Sequence, residues 1–488
     1  MELQSKDLIK LINAYIDRFQ ASEQRRKMVE GEKYYWSENT TINERRMIIY
    51  AEEKDSEGNS IPFEIDDPYK SNNQLASGYM KLLVDQKVNY LLGKEFNLES
   101  SDNDLLWEIV GNKFQQMVKD VAKEASKKGL GWCHVYIGKD GRFKTEMIPS
   151  EQIIPVWNEN SELDAVIRYY KIEKFVDGDF EVFDRVEFWD KEKVTYFEAL
   201  EGTSDYRLLS EDDMTKMLGK AYSNPKGHFQ RELLYGDVVG SSESLGWGEV
   251  PFIPLHNNYE KNTDLKPVRK YIDAYDVVVS DFMNNLEDFQ DVYWILKNYD
   301  GENLSEFLYQ VKRYKTLKTA DDGDARAEKI DVPYEARKEA RNALEEDIFK
   351  FGMGFNPSMV GDGNVTNVVL RSRFAVLDLK ADDFEPLVYG FIESIVGFVN
   401  VYCELFRMPT VELMGITFNR SLVVNEVELL EANSKQKGSI SETTRLTNHP
   451  WVDDAEEEMQ LMEDELVAMM GRIDLGDDEE EDDTSEGD

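Results

Sequence analysis

Trp132-Cys-His-Val-Tyr-Ile137, Ala165-Val-Ile-Arg-Tyr-Tyr170, Arg185-Val-Glu-Phe-Trp189 and Lys193-Val-Thr-Tyr-Phe197 are short runs of β-branched and aromatic residues. Turn signals such as Lys139-Asp-Gly141 and Asp177-Gly-Asp179 punctuate them, so the span from Trp132 to about Tyr235 reads as antiparallel strands. On both sides the hydrophobic period lengthens to that of a helix. Upstream, Leu8, Leu11, Ile12, Tyr15, Ile16 and Phe19 predict a helix over residues 7–30. Leu75, Tyr79, Leu82, Leu83, Val88 and Leu91 predict another over 72–92 that Gly93 ends, and a third covers about 103–128. The polar stretch 36–65 reads as loop.

Downstream, Val268, Tyr271, Ile272, Tyr275, Val278, Val279, Phe282, Leu286 and Phe289 form one helical stripe. Pro333 opens a helix in which Ala336, Ala340, Leu344 and Ile348 repeat at four. Gly352-Met-Gly-Phe-Asn-Pro-Ser-Met-Val-Gly-Asp-Gly-Asn364 is loop by every local signal. Leu370, Phe374, Leu377, Ala381 and Phe384 then make a heptad-like seam, which Pro386 is expected to kink or interrupt. Helix resumes to about Phe406, and Trp451, Ala455, Met459, Met462, Leu466 and Met469 predict a last helical piece within 441–471. A β region set in a helical chain makes the fold class α+β, predominantly α-helical.

Charge is the unusual quantity. Among 488 residues, 98 acids against 57 bases leave a net −41. Asp474 to Asp488 holds ten acids and no base, so −31 belongs to the remainder. Such a field repels phosphate, and it is equally what a solvated acidic surface gives. The two cysteines, Cys133 and Cys403, are far apart and suggest a reducing compartment rather than a disulfide framework. The N-terminus is charged from the start, without a signal-peptide pattern. No apolar run is expected to reach the roughly 18–20 residues that cross a bilayer, so a soluble chain with no membrane partner is expected.

Catalytic patterns are missing. Gly93-Lys94 lacks the upstream glycine and the following hydroxyl of a phosphate loop. The glycines of 352–363 do not sit between a strand and a helix in a dinucleotide pattern. His134, His228, His256 and His449 are scattered, and the Cys133–His134 pair alone is no zinc site. No Gly-x-Ser-x-Gly elbow occurs. Neither catalytic residues, metal nor cofactor are expected, which argues against an enzyme; a metal-dependent nuclease would have to work without a recognisable motif. Lys312, Arg313, Lys315 and Lys318 form a basic cluster that is either a solvated face or a contact for DNA or an acidic partner.

Four stretches carry a resemblance. They are Asn72-Asn-Gln-Leu-Ala-Ser-Gly-Tyr-Met-Lys-Leu-Leu-Val-Asp-Gln-Lys-Val-Asn-Tyr-Leu-Leu-Gly-Lys94; Val250-Pro-Phe-Ile-Pro-Leu-His-Asn-Asn258 with Ala274-Tyr-Asp276 and Ser280-Asp281; Asn364-Val-Thr-Asn-Val-Val-Leu-Arg-Ser-Arg-Phe374 with Leu377-Asp-Leu-Lys-Ala381; and Gly438-Ser-Ile-Ser-Glu-Thr-Thr444 with Pro450, Val452 and Asp453. In this order they resemble the SPP1-type (Gp6-like) bacteriophage portal family. The sequence departs at Tyr34-Tyr-Trp-Ser-Glu38, where relatives usually carry Tyr-Tyr-x-Gly, and at Pro386.

The resemblance implies a cyclic ring, usually a dodecamer, at the capsid vertex of the virion, assembled in the host cytoplasm. Through it double-stranded DNA would be packaged and ejected without sequence-specific binding. Implied partners are other copies of the chain, the terminase, a head-completion adaptor, and the major capsid and scaffolding proteins. The wing would span 1–262, the stem helices 264–290 and 333–351, the clip 292–331 and the tunnel loop 352–366. A long kinked helix returning to the wing would follow over 367–430, the crown over 431–471 and a disordered acidic tail over 472–488. Glu335, Glu339, Glu346 and Asp347 are then the candidate channel-facing acids. Gly352, Gly354, Asn356, Ser358, Met359 and Val360 are the candidate tunnel-loop contacts, the glycines supplying mobility. Lys312, Arg313, Lys315 and Lys318 would serve a clip partner. An acidic scaffold without a channel, or a DNA mimic, is the competing reading.

Overall fold

The computed structural model describes the chain except residues 1–4, 55–59, 69, 177, 220–221, 236–237, 289–292, 298–323, 329–333, 360–366, 422–425, 437, 448, 450, 453–454 and 475–488. The chain forms two compact units, one of Met1–Phe355 with Val376–Ser421 and one of Asn356–Ala375 with Leu422–Asp488. The basic cluster Lys312–Lys318 and all of the acidic tail beyond Asp474 lie outside the described residues.

The first unit starts with α1 (Ser5–Gln20), α2 (Glu23–Tyr35) and α3 (Thr40–Asn43). The expected single helix over 7–30 is two, because Ser22 acts as an N-cap: its Oγ accepts from the Arg25 amide at 3.1 Å. The stretch expected as loop also holds a hairpin of β1 (Ile48–Lys54) and β2 (Ser60–Asp66), with Ile48 opposite Asp66. Alternation at Ile61, Phe63 and Ile65 was its signal, masked by the polar residues between. Next come α4 (Tyr79–Leu92), β3 (Asn97–Ser100), α5 (Asn103–Val110) and α6 (Phe114–Lys128). The third expected helix is thus also broken, at Gly111, whose φ of +76° an α-helix cannot contain.

The four runs that decided the fold are strands. The first lies in β4 (Leu130–Ile137), which is followed by β5 (Phe143–Ile148) and β6 (Ile153–Trp157). The others lie in β7 (Leu163–Val176), β8 (Asp179–Trp189) and β9 (Lys193–Leu200). After β10 (Arg207–Leu208), α7 (Glu211–Leu218) and β11 (Lys226–Gly227) come the paired strands β12 (Phe229–Tyr235) and β13 (Val238–Leu245), then β14 (Phe252–His256). An antiparallel sheet runs β10-β9-β8-β7-β6, and a second runs β14-β4-β5.

The second sheet is the wall between two cores. Cys133, Val135, Phe143, Ile253 and Leu255 face a core built from α4, α5, α6 and later helices. Leu130, Trp132, Ile148 and Phe252 face the other, shared with α1 and the larger sheet. The two-residue period of a strand sends neighbours to opposite faces, so one sheet closes both cores.

Helical chain resumes with α8 (Arg269–Asp288), the paired strands β15 (Tyr293–Lys297) and β16 (Asp324–Glu328), α9 (Tyr334–Phe351) and α10 (Asn367–Phe406). β17 (Leu413–Thr417) pairs with β3. The second unit also holds α11 (Glu426–Lys435), α12 (Glu442–Thr447) and α13 (Ala455–Asp474). With 49% helix and 23% strand, the α+β, mainly helical class is the observed one.

Two expectations about α10 need correction. The helix is continuous through Pro386, which therefore does not interrupt it. Proline removes the amide that would bond the Asp382 carbonyl, and Arg420 braces that turn from outside. Its guanidinium reaches Asp378 at 2.9 Å and Glu385 at 2.8 Å and also bonds Asp382. Further, Arg371–Phe406 is long and apolar enough to cross a membrane by length and composition. Many of its apolar residues are core residues here: Val388, Phe391, Ile392, Ile395, Val399 and Cys403 are buried in the larger core, while Val376, Leu379 and Phe406 are exposed.

Candidate functional site

Ser71–Gly78 is extended chain laid along α8, where a helix was expected from residue 72. The amides of Asn73, Leu75 and Ser77 donate to Asn284 Oδ1 (2.6 Å), Ser280 Oγ (3.0 Å) and Asp276 Oδ1 (2.9 Å). Two residues of extended chain advance about 6.6 Å and four residues of helix about 6 Å. Polar residues at every fourth helical position therefore serve every second amide of the strand. Asp276, Ser280 and Asn284 are buried, and Asp276 accepts also from Asn39 Nδ2 at 2.5 Å. Burial pushes the Asp276 carboxyl above its ordinary range, against the hydrogen bonds from Ser77 and Asn39.

Helix α9 packs on α8 in the opposite direction: Phe282 approaches Tyr334 at 5.9 Å and Tyr271 stacks on Phe351 at 4.9 Å. At about 100° per residue, Glu335, Glu339 and Glu346 fall within roughly 40° of one another on α9. All three are exposed, on a face that also carries Lys350, with Lys338 at its edge. Asp347 lies roughly 100° round the helix from Glu346 and is half-buried. Three of the four expected acids therefore share a face, and one does not.

The end of α9 is a Schellman turn. The Gly354 amide donates to Phe349 O at 2.9 Å and the Met353 amide to Lys350 O at 3.4 Å. Met353, not a glycine, takes the left-handed position, at φ +54°. Gly352 and Gly354 have another reason to be glycine. A Cβ at Gly352 would lie 2.7 Å from Leu83 Cδ1, and one at Gly354 2.4 Å from Leu83 Cδ2. They are close-packing sites against α4. Beyond them, Asn356 Oδ1 accepts from the Ser358 amide at 2.9 Å and Pro357–Met359 is a 3-10 turn. Val360 lies outside the described residues.

Beside this turn sits a cluster that sequence reasoning did not assemble. Lys87 of α4 is buried, its Nζ 2.5 Å from Asn257 Oδ1 and 3.4 Å from Asp264 Oδ2, above the Phe384 ring at 4.0 Å. Lys380 of α10 approaches the same Asp264 oxygen at 3.5 Å and donates to Gly352 O at 2.8 Å. Asn257 Nδ2 donates to Asp264 Oδ1 at 3.0 Å. The partners shift in opposite senses. Burial, offset only partly by Asp264 and worsened by Lys380, lowers Lys87 to about 8. Burial would raise Asp264, but Lys380 and Lys87 together bring it down to about 2. One carboxylate shared by two cations is well satisfied, and the more deeply buried lysine is the costly member. The available signal was a lysine inside the apolar series Leu83, Val84, Val88 and Leu91.

The residues Lys87, Asn257 and Lys380 come from three of the four stretches on which the resemblance rested, so those stretches meet in space. Elsewhere Cys133 and His134 point into different cores, and burial first, against a hydrogen bond to Pro251 O at 2.9 Å, lowers His134 to about 3 and keeps it neutral. Among the described residues no His, Cys, Asp and Glu cluster could hold a metal ion.

The family of phage portal proteins of the SPP1 Gp6-like type matches residues 17–468. The chain belongs to that family. This portal protein is 29% identical over 480 residues to the portal protein of Bacillus phage SPP1, covering 94% of this chain and 89% of the relative. It is 27% identical over 475 residues to the portal protein of Clostridium phage phiCD119, covering 92% and 94%. A solved structure of the neck of an empty GTA particle aligns over 79% of this chain and 90% of its own, at 8% identity and a TM-score of 0.40. The portal family is a structural one whose members are part of the virion at the capsid vertex.

Proposed function

We propose that copies of this portal protein close into a ring, twelve in the arrangement the resemblance implies, around a channel for double-stranded DNA. The observation that carries this is the shared exposed face of Glu335, Glu339 and Glu346 on α9. A cation that bound phosphate and released its counterions would hold DNA at each step, whereas a carboxylate wall offers no such trap. Cyclic symmetry turns one helix face into a collar. In this reading α8 and α9 are the stem, the segment containing β15 and β16 is the clip that docks the terminase and later a head-completion adaptor, and Gly352 onward leads into the tunnel loop. Lys312, Arg313, Lys315 and Lys318 would serve the clip partner. Major capsid and scaffolding proteins would surround the ring during assembly in the host cytoplasm.

Light scattering combined with negative-stain imaging of the purified protein tests the ring. A single large mass and annular particles with a central hole are expected. A monomer or dimer at all concentrations would favour the acidic scaffold without a channel.

A further inference from the structure

We infer that Lys380 is a positioning residue that, held by Asp264, fixes the backbone where the chain leaves α9, making Gly352–Phe355 a clamped root rather than a hinge. The functional meaning rests on the channel reading; the geometry is complete within one chain.

Three sets of contacts converge on these four residues. The last carbonyls of a helix have no partner within it. The Schellman turn serves Phe349 and Lys350, and Lys380 Nζ meets the Gly352 carbonyl at 2.8 Å. Gln86 grips the next segment from both sides: its Nε2 donates to Phe355 O at 2.7 Å and its Oε1 accepts from Phe355 N at 3.0 Å. Leu83, one turn earlier on α4, lies where the side chains of residues 352 and 354 would otherwise stand. Leu83, Gln86 and Lys87 share one face of α4 at three- and four-residue spacing.

Charge explains why a lysine performs this task. The buried group contains two cations, Lys87 and Lys380, and one carboxylate, Asp264. The C-terminal end of α9 carries the negative pole of its helix dipole, equivalent to roughly half a charge. Placing Lys380 between Asp264 and that pole gives the second cation its counter-charge, and it ties α10, α4 and the entry to α8 to the end of α9. An apolar side chain would remove this donor from the carbonyl and leave the pole uncompensated.

Amide hydrogen exchange on the assembled full-length protein, followed in fragments spanning residues 351–356, tests this. In the wild type the Gly352, Gly354 and Phe355 amides are expected to exchange slowly, each being hydrogen-bonded. Lys380→Met is expected to speed Gly354 and Phe355 roughly tenfold or more, the scale of losing one charge-assisted hydrogen bond. The amides of β7 and β8 should be unchanged, and Lys380→Arg, which keeps the cation, should retain most of the protection. Free-chain exchange at these amides in the wild type would overturn the inference, even if the Met variant failed to fold. So would a Met variant that loosens β7 and β8 as much as Gly354. If no ring forms but the three amides are slow, the clamp stands and the channel reading falls; a ring with unprotected amides has the reverse meaning.

Discussion

Replacing Asp264 by asparagine is expected to destabilise the first unit by about 3–5 kcal/mol at neutral pH, the scale of removing one partner from a buried ion pair. The reason is the count of charges. Lys87 and Lys380 both rely on one carboxylate oxygen, at 3.4 and 3.5 Å. Asparagine preserves shape and can keep a contact with Asn257, but it leaves two ammonium groups in a place with little water. The same site predicts an acid limb. Asp264 falls from 3.8 to about 2 because Lys380 and Lys87 lie beside it, despite burial. A carboxyl with a lowered folded pKa contributes stability that is fully present above its unfolded value and lost as pH falls toward the folded one. Wild-type stability should therefore decline between about pH 4 and pH 2, and Asp264→Asn should lack this part of the decline. Urea unfolding monitored by tryptophan fluorescence across pH measures both. A variant as stable as the wild type at pH 7 would mean that the cluster is hydrated and of little consequence.

Reversing the exposed acids of α9 should change function far more than stability. Glu335→Lys, Glu339→Lys and Glu346→Lys together sit on a face that does not pack on α8, where surface substitutions cost little. In a ring each becomes a collar of cations. DNA retained by several such contacts binds with an affinity that falls by about 10³ or more between roughly 50 and 200 mM salt. The triple variant is expected to hold double-stranded DNA at low salt and release it steeply with salt, while the wild type shows no such retention. Genome packaging should drop on the order of tenfold or more, since bound phosphates must be released at every step. Mobility shifts over a salt series, followed by packaging in infected cells, read the two effects. Wild-type packaging by the triple variant would remove these acids from the channel wall.

Periodicity made much of the fold legible. The runs in β4, β7, β8 and β9 showed as strands because β-branched and aromatic residues lay between turn signals, and α8 showed as one apolar stripe. Breaks were harder to read. Ser22 and Gly111 interrupt helices through a cap and a left-handed angle, effects that a hydrophobic period averages over. Asn72–Gly78 looked helical because Leu75 and Tyr79 are four apart, while its true partner, the polar row Asp276, Ser280 and Asn284, lies about 200 residues later. Pro386 was expected to kink or interrupt α10; the helix is not interrupted there, and Arg420 with its three carboxylates, distant in sequence, bonds that turn.

The candidate site was legible only in part. Glu335, Glu339, Glu346 and Asp347 were singled out together as acids of one helix; three of them share an exposed face of α9, and Asp347 lies about a quarter-turn away. Gly352 and Gly354 were noticed for the freedom glycine gives; their tight packing beside Leu83 depends on a residue distant in sequence and was not visible in the local pattern. Local pattern offered one hint of the Lys87–Asp264–Lys380 cluster, a lysine inside the apolar series of α4, and nothing of its partners. Its members come from α4, the approach to α8 and α10, and only the fold brings three such distant charges within 3.5 Å.

The orientation of α9 within the assembled ring is the most direct test of the account. An electron cryomicroscopy structure of the purified assembly, at a resolution that shows side chains, is predicted to reveal a closed ring with Glu335, Glu339 and Glu346 pointing into the lumen. Those three residues on the outer wall, or buried between subunits, would contradict it.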